Sequence, residues 1–189
     1  DSFNPYTADS NINRDLSNLL FEPLVKTDNE FNPVFRLARS AEFGDKTCTV
    51  VLKAANFSDG SAVTADDVIY SYNVARSSAT QYAHKLYEVA KVEATNDKTV
   101  IFTLTRNDPY FLNLIDFPIF KAESDKQTDS DGVTAPPIGC GRYLLSDNNT
   151  SLTVNTGFYG KKPSIKKILL IDAPDADSVS HYVEVGATD

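Results

Sequence analysis

Residues 57–68 read Phe57-Ser58-Asp59-Gly60-Ser61-Ala62-Val63-Thr64-Ala65-Asp66-Asp67-Val68, a tight turn running directly into a helix start. Ser58-Asp59-Gly60-Ser61 is a turn signal, because glycine takes the positive φ that such turns require. Thr64 then offers an N-cap hydroxyl, and Asp67 falls three residues later, close to a capping box. Asp66 and Asp67 also sit at the positive end of the helix dipole. Val68, Ile69, Tyr72 and Ala75 follow at helical spacing, which predicts a helix to about Arg76. The Asp66-Asp67 pair could suggest acid–base chemistry or a metal. Adjacent helical residues do not face each other, so capping is the better account.

Working outward, Thr47–Lys53 (TCTVVLK) is β-rich and bounded by polar turns, which predicts a strand. Further upstream, Leu16, Leu19, Leu20, Leu24 and Val25 carry a spacing that begins near-helical and ends strand-like, with Asp15 as a possible cap and Pro23 as a stop. The opening, Asp1 to Asn13, is polar and contains Asn4-Pro5, so it reads as an extended or turn segment. Downstream, strands are expected at Val89–Ala94 and Thr99–Thr105 around the turn Thr95-Asn96-Asp97-Lys98. Asp108-Pro109 introduces a short apolar helix, Tyr110 to Ile115, and Glu123 to Thr134 reads as loop. Strands return at Gly141–Leu145, Leu152–Thr156 and Ile165–Ile171, and a last helix begins near Pro174-Asp175 with Val179, Tyr182 and Val183. Strands and helices mix without strict βαβ alternation. The expected fold is therefore α/β with a mixed sheet rather than a purely parallel one.

The bulk numbers exclude several functions. The chain has 189 residues, 41% hydrophobic and 23% charged, an ordinary composition for a folded domain. Its 26 acidic and 18 basic residues give a net charge of −8, which disfavours nucleic acid and anionic lipid as partners. Lys161, Lys162, Lys166 and Lys167 form the best basic cluster and read as a solvated strand flank. No apolar run approaches the roughly 20 residues of a membrane span. Cys48 and Cys140 lack metal-ligand spacing, and could form one disulfide or stay as two buried thiols, the usual fate of free Cys. Neither His84 nor His181 sits in a zinc-type motif, so no metal or other cofactor is expected. Gly139-Cys140-Gly141 resembles a phosphate loop or nucleophile turn only superficially, because it lacks the third glycine, the lysine and the helix. No base that would activate Cys140 is visible in the sequence. Tyr82 stands out in the polar stretch SSATQYAHK, as binding surface or as a cap on the core.

Several stretches, in fixed order, resemble the family 5 extracellular solute-binding proteins, which serve ABC importers of peptides, dipeptides and nickel. Asn4-Pro5 followed by Leu20-Phe21-Glu22-Pro23-Leu24-Val25 is similar to the family's opening, and Pro33-x-x-x-Leu37-Ala38-x-Ser40 to its next segment. Residues 57–68 resemble the signature Phe-Ser-Asp-Gly-x-Pro-Val-Thr-Ala-Asp-Asp-Val, with Ala62 where Pro is usual. The likeness continues through Asp97-x-x-Thr99-Val100-x-Phe102-x-Leu104, Pro137-Ile138-Gly139-Cys140-Gly141-Arg142-Tyr143 and Tyr159-x-x-Lys162-Pro163-x-Ile165. It reaches Gly186-Ala187-Thr188-Asp189 at the end. Cys140 and Arg142 depart from the family's usual Thr and Pro.

The resemblance implies a type II periplasmic-binding-protein-like fold of the oligopeptide-binding cluster. Residues 1–189 would be the N-terminal portion of the first of two lobes, in an excised piece lacking the second lobe and the C-terminal return segment. It implies capture of a peptide in an interlobe cleft and delivery to membrane permease subunits, by a monomer outside the cytoplasm, either periplasmic or a Gram-positive surface lipoprotein. Carried over by position, Asp9, Ser10 and Asn11 would line the cleft and Tyr82 would approach the ligand. The rival readings are a peptide-sensing pheromone receptor, a nickel or oligosaccharide binder, and a hydrolase using Cys140. The resemblance implies no catalytic residue.

Overall fold

The computed structural model describes residues 3–8, 10–128, 132, 134–171, 173, 175–186 and 188. Asn4 makes the opening turn, its side chain accepting the Tyr6 N–H at 3.0 Å and its carbonyl the Thr7 and Ala8 N–H groups. Helix α1 (Asn11–Leu20) starts earlier than its first apolar residues suggest. Ser10, not Asp15, is its cap, with Oγ accepting the Asn13 N–H at 3.0 Å. The first turn carries the exposed Ile12 instead of a buried residue, so the apolar spacing missed it.

After α1 come β1 (Glu22–Pro23), β2 (Val25–Thr27), β3 (Pro33–Phe35), β4 (Ala38–Gly44) and β5 (Thr47–Leu52). β2 pairs with β3 and β4 with β5, all antiparallel. Helix α2 (Ala65–Ser77) begins where residues 57–68 place it. The Thr64 N–H and hydroxyl both donate to Asp67 Oδ2, at 2.8 and 2.7 Å. Asp67 Oδ1 accepts the Ala122 N–H at 2.9 Å, so this buried carboxylate both caps the helix and anchors a distant loop. Asp66, its neighbour, is exposed.

After helix α3 (Gln81–Lys85), β6 (Val89–Asn96) and β7 (Thr99–Leu104) complete a four-stranded antiparallel sheet of order β4-β5-β7-β6. Alternate residues of the two central strands, Cys48, Val50 and Leu52 with Val100, Phe102 and Leu104, are buried, and α2 packs against β6 and β7. The short helix expected at Tyr110 to Ile115 is a 3-10 turn, Phe111–Leu114, whose Phe111 ring meets Phe102 at 5.4 Å. β8 (Pro118–Ile119) pairs with β1.

The expected loop over 123–134 contains a 3-10 turn at Ser124–Lys126 and a bridge between Thr128 and Thr134; residues 129–131 and 133 lie outside the described ones. β9 (Tyr143–Leu145), β10 (Ser151–Val154) and β11 (Lys167–Leu169) form a second antiparallel sheet, shorter than the expected strands. Helix α4 (Ala176–Glu184) follows, capped by Asp175 Oδ1, which accepts the Ser178 N–H at 2.7 Å. Among the described residues every strand pair is antiparallel, so no sheet is purely parallel, as expected, but none is mixed either. Hairpins and loops join most of the paired strands, and the helical connection from β5 to β6 leaves β7 between those two. Both cysteines are buried free thiols. Among the described residues no helix is long and apolar enough to cross a membrane.

Candidate functional site

A cleft of about 1310 Å³ opens between the opening turn with α1 and the stretch from the end of α2 through α3. Tyr6 is its floor. The ring is almost fully buried, its hydroxyl donates to the Pro118 carbonyl at 2.5 Å, and it meets Tyr82 edge to face at 5.7 Å. Tyr82 lies in α3 rather than in a loop, because the Thr80 hydroxyl accepts its N–H and starts a short helix. Burial, and then the negative charge of Asp116, push the Tyr82 hydroxyl up to about 12, so it stays a neutral donor at physiological pH. Asp116 sits in the cleft wall, with Oδ2 2.5 Å from the Lys85 ammonium. Its Oδ1 is buried and has no hydrogen-bond partner among the described residues. Such an atom favours any donor that enters beside it.

Of the residues expected to touch ligand, Asn11 and Tyr82 share this cleft. Ser10 is not part of its wall and carries the cap of α1. Asp9 lies outside the described residues. Tyr6 and Asp116 were not anticipated. The position of Tyr6 directly after an Asn-Pro turn was the available signal, whereas nothing in the sequence places Asp116 beside Lys85, 31 residues away. Chemically the cleft offers aromatic faces, hydroxyl donors and a carboxylate, with Arg14, Asp15 and Lys26 at its rim. These are recognition groups.

The Cys140 nucleophile reading fails on environment. Burial holds the thiol at about 12, far above the range of reactive thiolates. The glycines beside it answer to packing: a Cβ on Gly139 would lie 2.1 Å from the Leu20 carbonyl oxygen, and one on Gly141 2.3 Å from that of Leu19. The Gly141 N–H donates to Leu20 O at 2.8 Å, so the turn closes against the end of α1. Among the described residues no group of His, Cys, Asp and Glu side chains could hold a metal ion.

Residues 32–189 match the family described as bacterial extracellular solute-binding proteins, family 5 Middle. A relative from Brucella ovis, named an ABC transporter peptide-binding protein, is 27% identical over 79% of this chain and 31% of its own. The oligopeptide-binding protein AppA of Bacillus subtilis is 26% identical, over 97% of this chain and 37% of its own. Its structure with a nonapeptide superposes with a TM-score of 0.80 at 23% identity, covering 99% of this chain and 40% of that one. MoaA of A. tumefaciens R10, in complex with mannopinic acid, gives a TM-score of 0.85 at 26% identity, covering 100% and 42%. The chain thus spans about a third of the length of these curated relatives. The fold is that of type II periplasmic binding proteins, as the ordered motifs implied, and the matching family is one of solute-binding proteins, not enzymes. The chain belongs to family 5 of the bacterial extracellular solute-binding proteins.

Proposed function

We propose that this chain is the N-terminal portion of the first lobe of an ABC importer's extracytoplasmic receptor, which captures a peptide or related small solute and presents it to the membrane permease. The observation that carries the reading is the cleft lined by Tyr6, Asn11, Tyr82 and Asp116, whose buried Oδ1 has no hydrogen-bond partner among the described residues. Peptide capture suits this lining, because the Tyr82 hydroxyl and the Asp116 Oδ1 acceptor can pair with main-chain groups whatever the side chains are. Relatives named for peptide binding support the same ligand class. The exposed apolar side chains of β11 and α4, Leu169, Val179 and Val183, support a first lobe that later chain segments complete. Release into the permease is then a matter of lobe closure and opening, a population shift rather than chemistry. The working molecule is a monomer outside the cytoplasm, either periplasmic or lipid-anchored at a Gram-positive surface.

The test is calorimetric titration of a mixed di- to pentapeptide library into this chain and into a longer protein carrying both lobes. Binding to the longer protein with weak or no binding to the chain is the expected result. Failure of both to bind any peptide would remove peptides as the ligand and turn the search to nickel chelates, oligosaccharides and signalling peptides.

A further inference from the structure

On a different part of the surface, the segments flanking β4, β5 and β9 meet the loop between β10 and β11 around a recess of about 380 Å³. It shares no lining residue with the cleft. Five cationic side chains line it: Arg36, Lys53, Arg142, Lys161 and Lys162. The one carboxylate that reaches these groups in the described ion pairs, Glu22, is buried beneath them. Five positive charges against one negative leave a formal excess of four, in a chain whose total is −8.

Three of the cationic heads are held in place, while Lys161 and Lys162 are exposed at the rim. Arg36 grips Glu22 in a two-pronged pair, Nε and Nη2 each 2.7 Å from a carboxylate oxygen. Arg142 Nε stands 3.7 Å from the same carboxylate, and its guanidinium lies over the Phe158 ring at 5.9 Å. The Lys53 ammonium donates to the Phe35 carbonyl at 3.1 Å and sits 5.8 Å over the Tyr159 ring. Burial, and then the nearby Arg36 charge, hold Lys53 below the ordinary lysine range. Packing therefore keeps like charges together that would otherwise spread apart.

We propose that this recess is a second binding site, for a small oxyanion of the carboxylate or phosphate class. An anion there would relieve the repulsion among Arg36, Lys53 and Arg142, which are already in place, so little ordering of these three accompanies binding. Its volume lies in the range of small-molecule pockets. The anion would also tie the segments flanking β4 and β5 to the β10–β11 loop, because Arg36 and Lys53 come from the first and Lys161 and Lys162 from the second.

The probes are citrate and inorganic phosphate, titrated separately into the chain by calorimetry at constant ionic strength set with sodium chloride. Saturable one-to-one binding of at least one probe is expected. Each of Arg142→Gln and Lys53→Gln should weaken it by about tenfold, the worth of one charge-assisted hydrogen bond. Tyr82→Ala should leave it unchanged, which separates this outcome from that of the peptide titration. The tighter probe names the anion class. Circular dichroism checks that each variant folds, and the exposed Lys162→Gln provides a third variant should either be unstable. No saturable binding of either probe, or binding that all of these charge variants retain in full, would overturn the proposal.

Discussion

The sheet β4–β5–β7–β6 and the sheet β9–β10–β11 are both antiparallel, yet they use their apolar side chains differently. In the first, Val50, Val100 and Phe102 are 0% exposed, because α2 packs across one face. In the second, Leu152 is fully buried on the central strand, but Leu169 on the edge strand is 64% exposed. Helix α4 does not repair this, since its own Val179 and Val183 are 50% and 56% exposed. The same apolar alternation thus produces a finished core in one place and an uncovered face in another. What differs is whether a second layer is present.

The sharpest way to break the comparison is a pair of truncations. Phe102→Ala removes a ring packed against Tyr72 and Phe111 and should cost roughly 3–5 kcal/mol in denaturant unfolding. Leu169→Ala should stay within about 0.5 kcal/mol of the parent chain. Equal costs would mean that the β9–β11 face is covered after all.

A second substitution probes the seam between the halves. Glu22 on β1 is 2% exposed and takes Arg36 from beside β4, while Tyr159 from beyond β10 donates to it at 3.4 Å. Glu22→Gln leaves Arg36 partly buried without its counter-charge and should destabilise by about 3 kcal/mol, measured the same way. A loss below about 1 kcal/mol would show that the pair is no better than a surface one.

A smaller effect sharpens the picture on the four-stranded side. Partial burial pushes Asp59 up, but hydrogen bonds from Lys121 and Ser61 outweigh it and hold the carboxyl at about 2. With the folded value below the unfolded one of about 3.9, the stabilisation is present above that pH and fades as the pH falls towards 2. Thermal melts of the parent chain and Asp59→Asn should differ by less than about 1 kcal/mol near pH 5 and converge near pH 2.

How much was legible beforehand follows the same division. The Thr64–Asp67 cap, α2 and the alternation of β5 and β7 could be read because local preference and burial agree there. β4, with the sequence Ala38-Arg-Ser-Ala-Glu-Phe-Gly44, escaped because it is an edge strand whose outer half is exposed. It becomes a strand through pairing with β5. The start of α1 was misplaced because Ser10 caps a turn with no buried apolar residue in it, leaving periodicity nothing to register. In the site, Asn11 and Tyr82 were reachable by position along the chain. The Lys85–Asp116 pair and the Tyr6–Tyr82 contact are tertiary juxtapositions, set by how the opening turn and α3 close on β8. The lysines at 161 and 162 read as a solvated flank, because the arginines that join them come from 19 and 125 residues earlier in the chain.

In the proposed function, peptide is held at Tyr82, and the cationic recess is left to a separate small anion. The most direct measurement is peptide affinity in a protein carrying both lobes, with Tyr82→Ala compared against Tyr159→Ala. Loss of about tenfold or more with Tyr82→Ala, as for a buried aromatic contact, and little change with Tyr159→Ala is the predicted result. Peptide affinity that falls with Tyr159→Ala and is indifferent to Tyr82→Ala would contradict it.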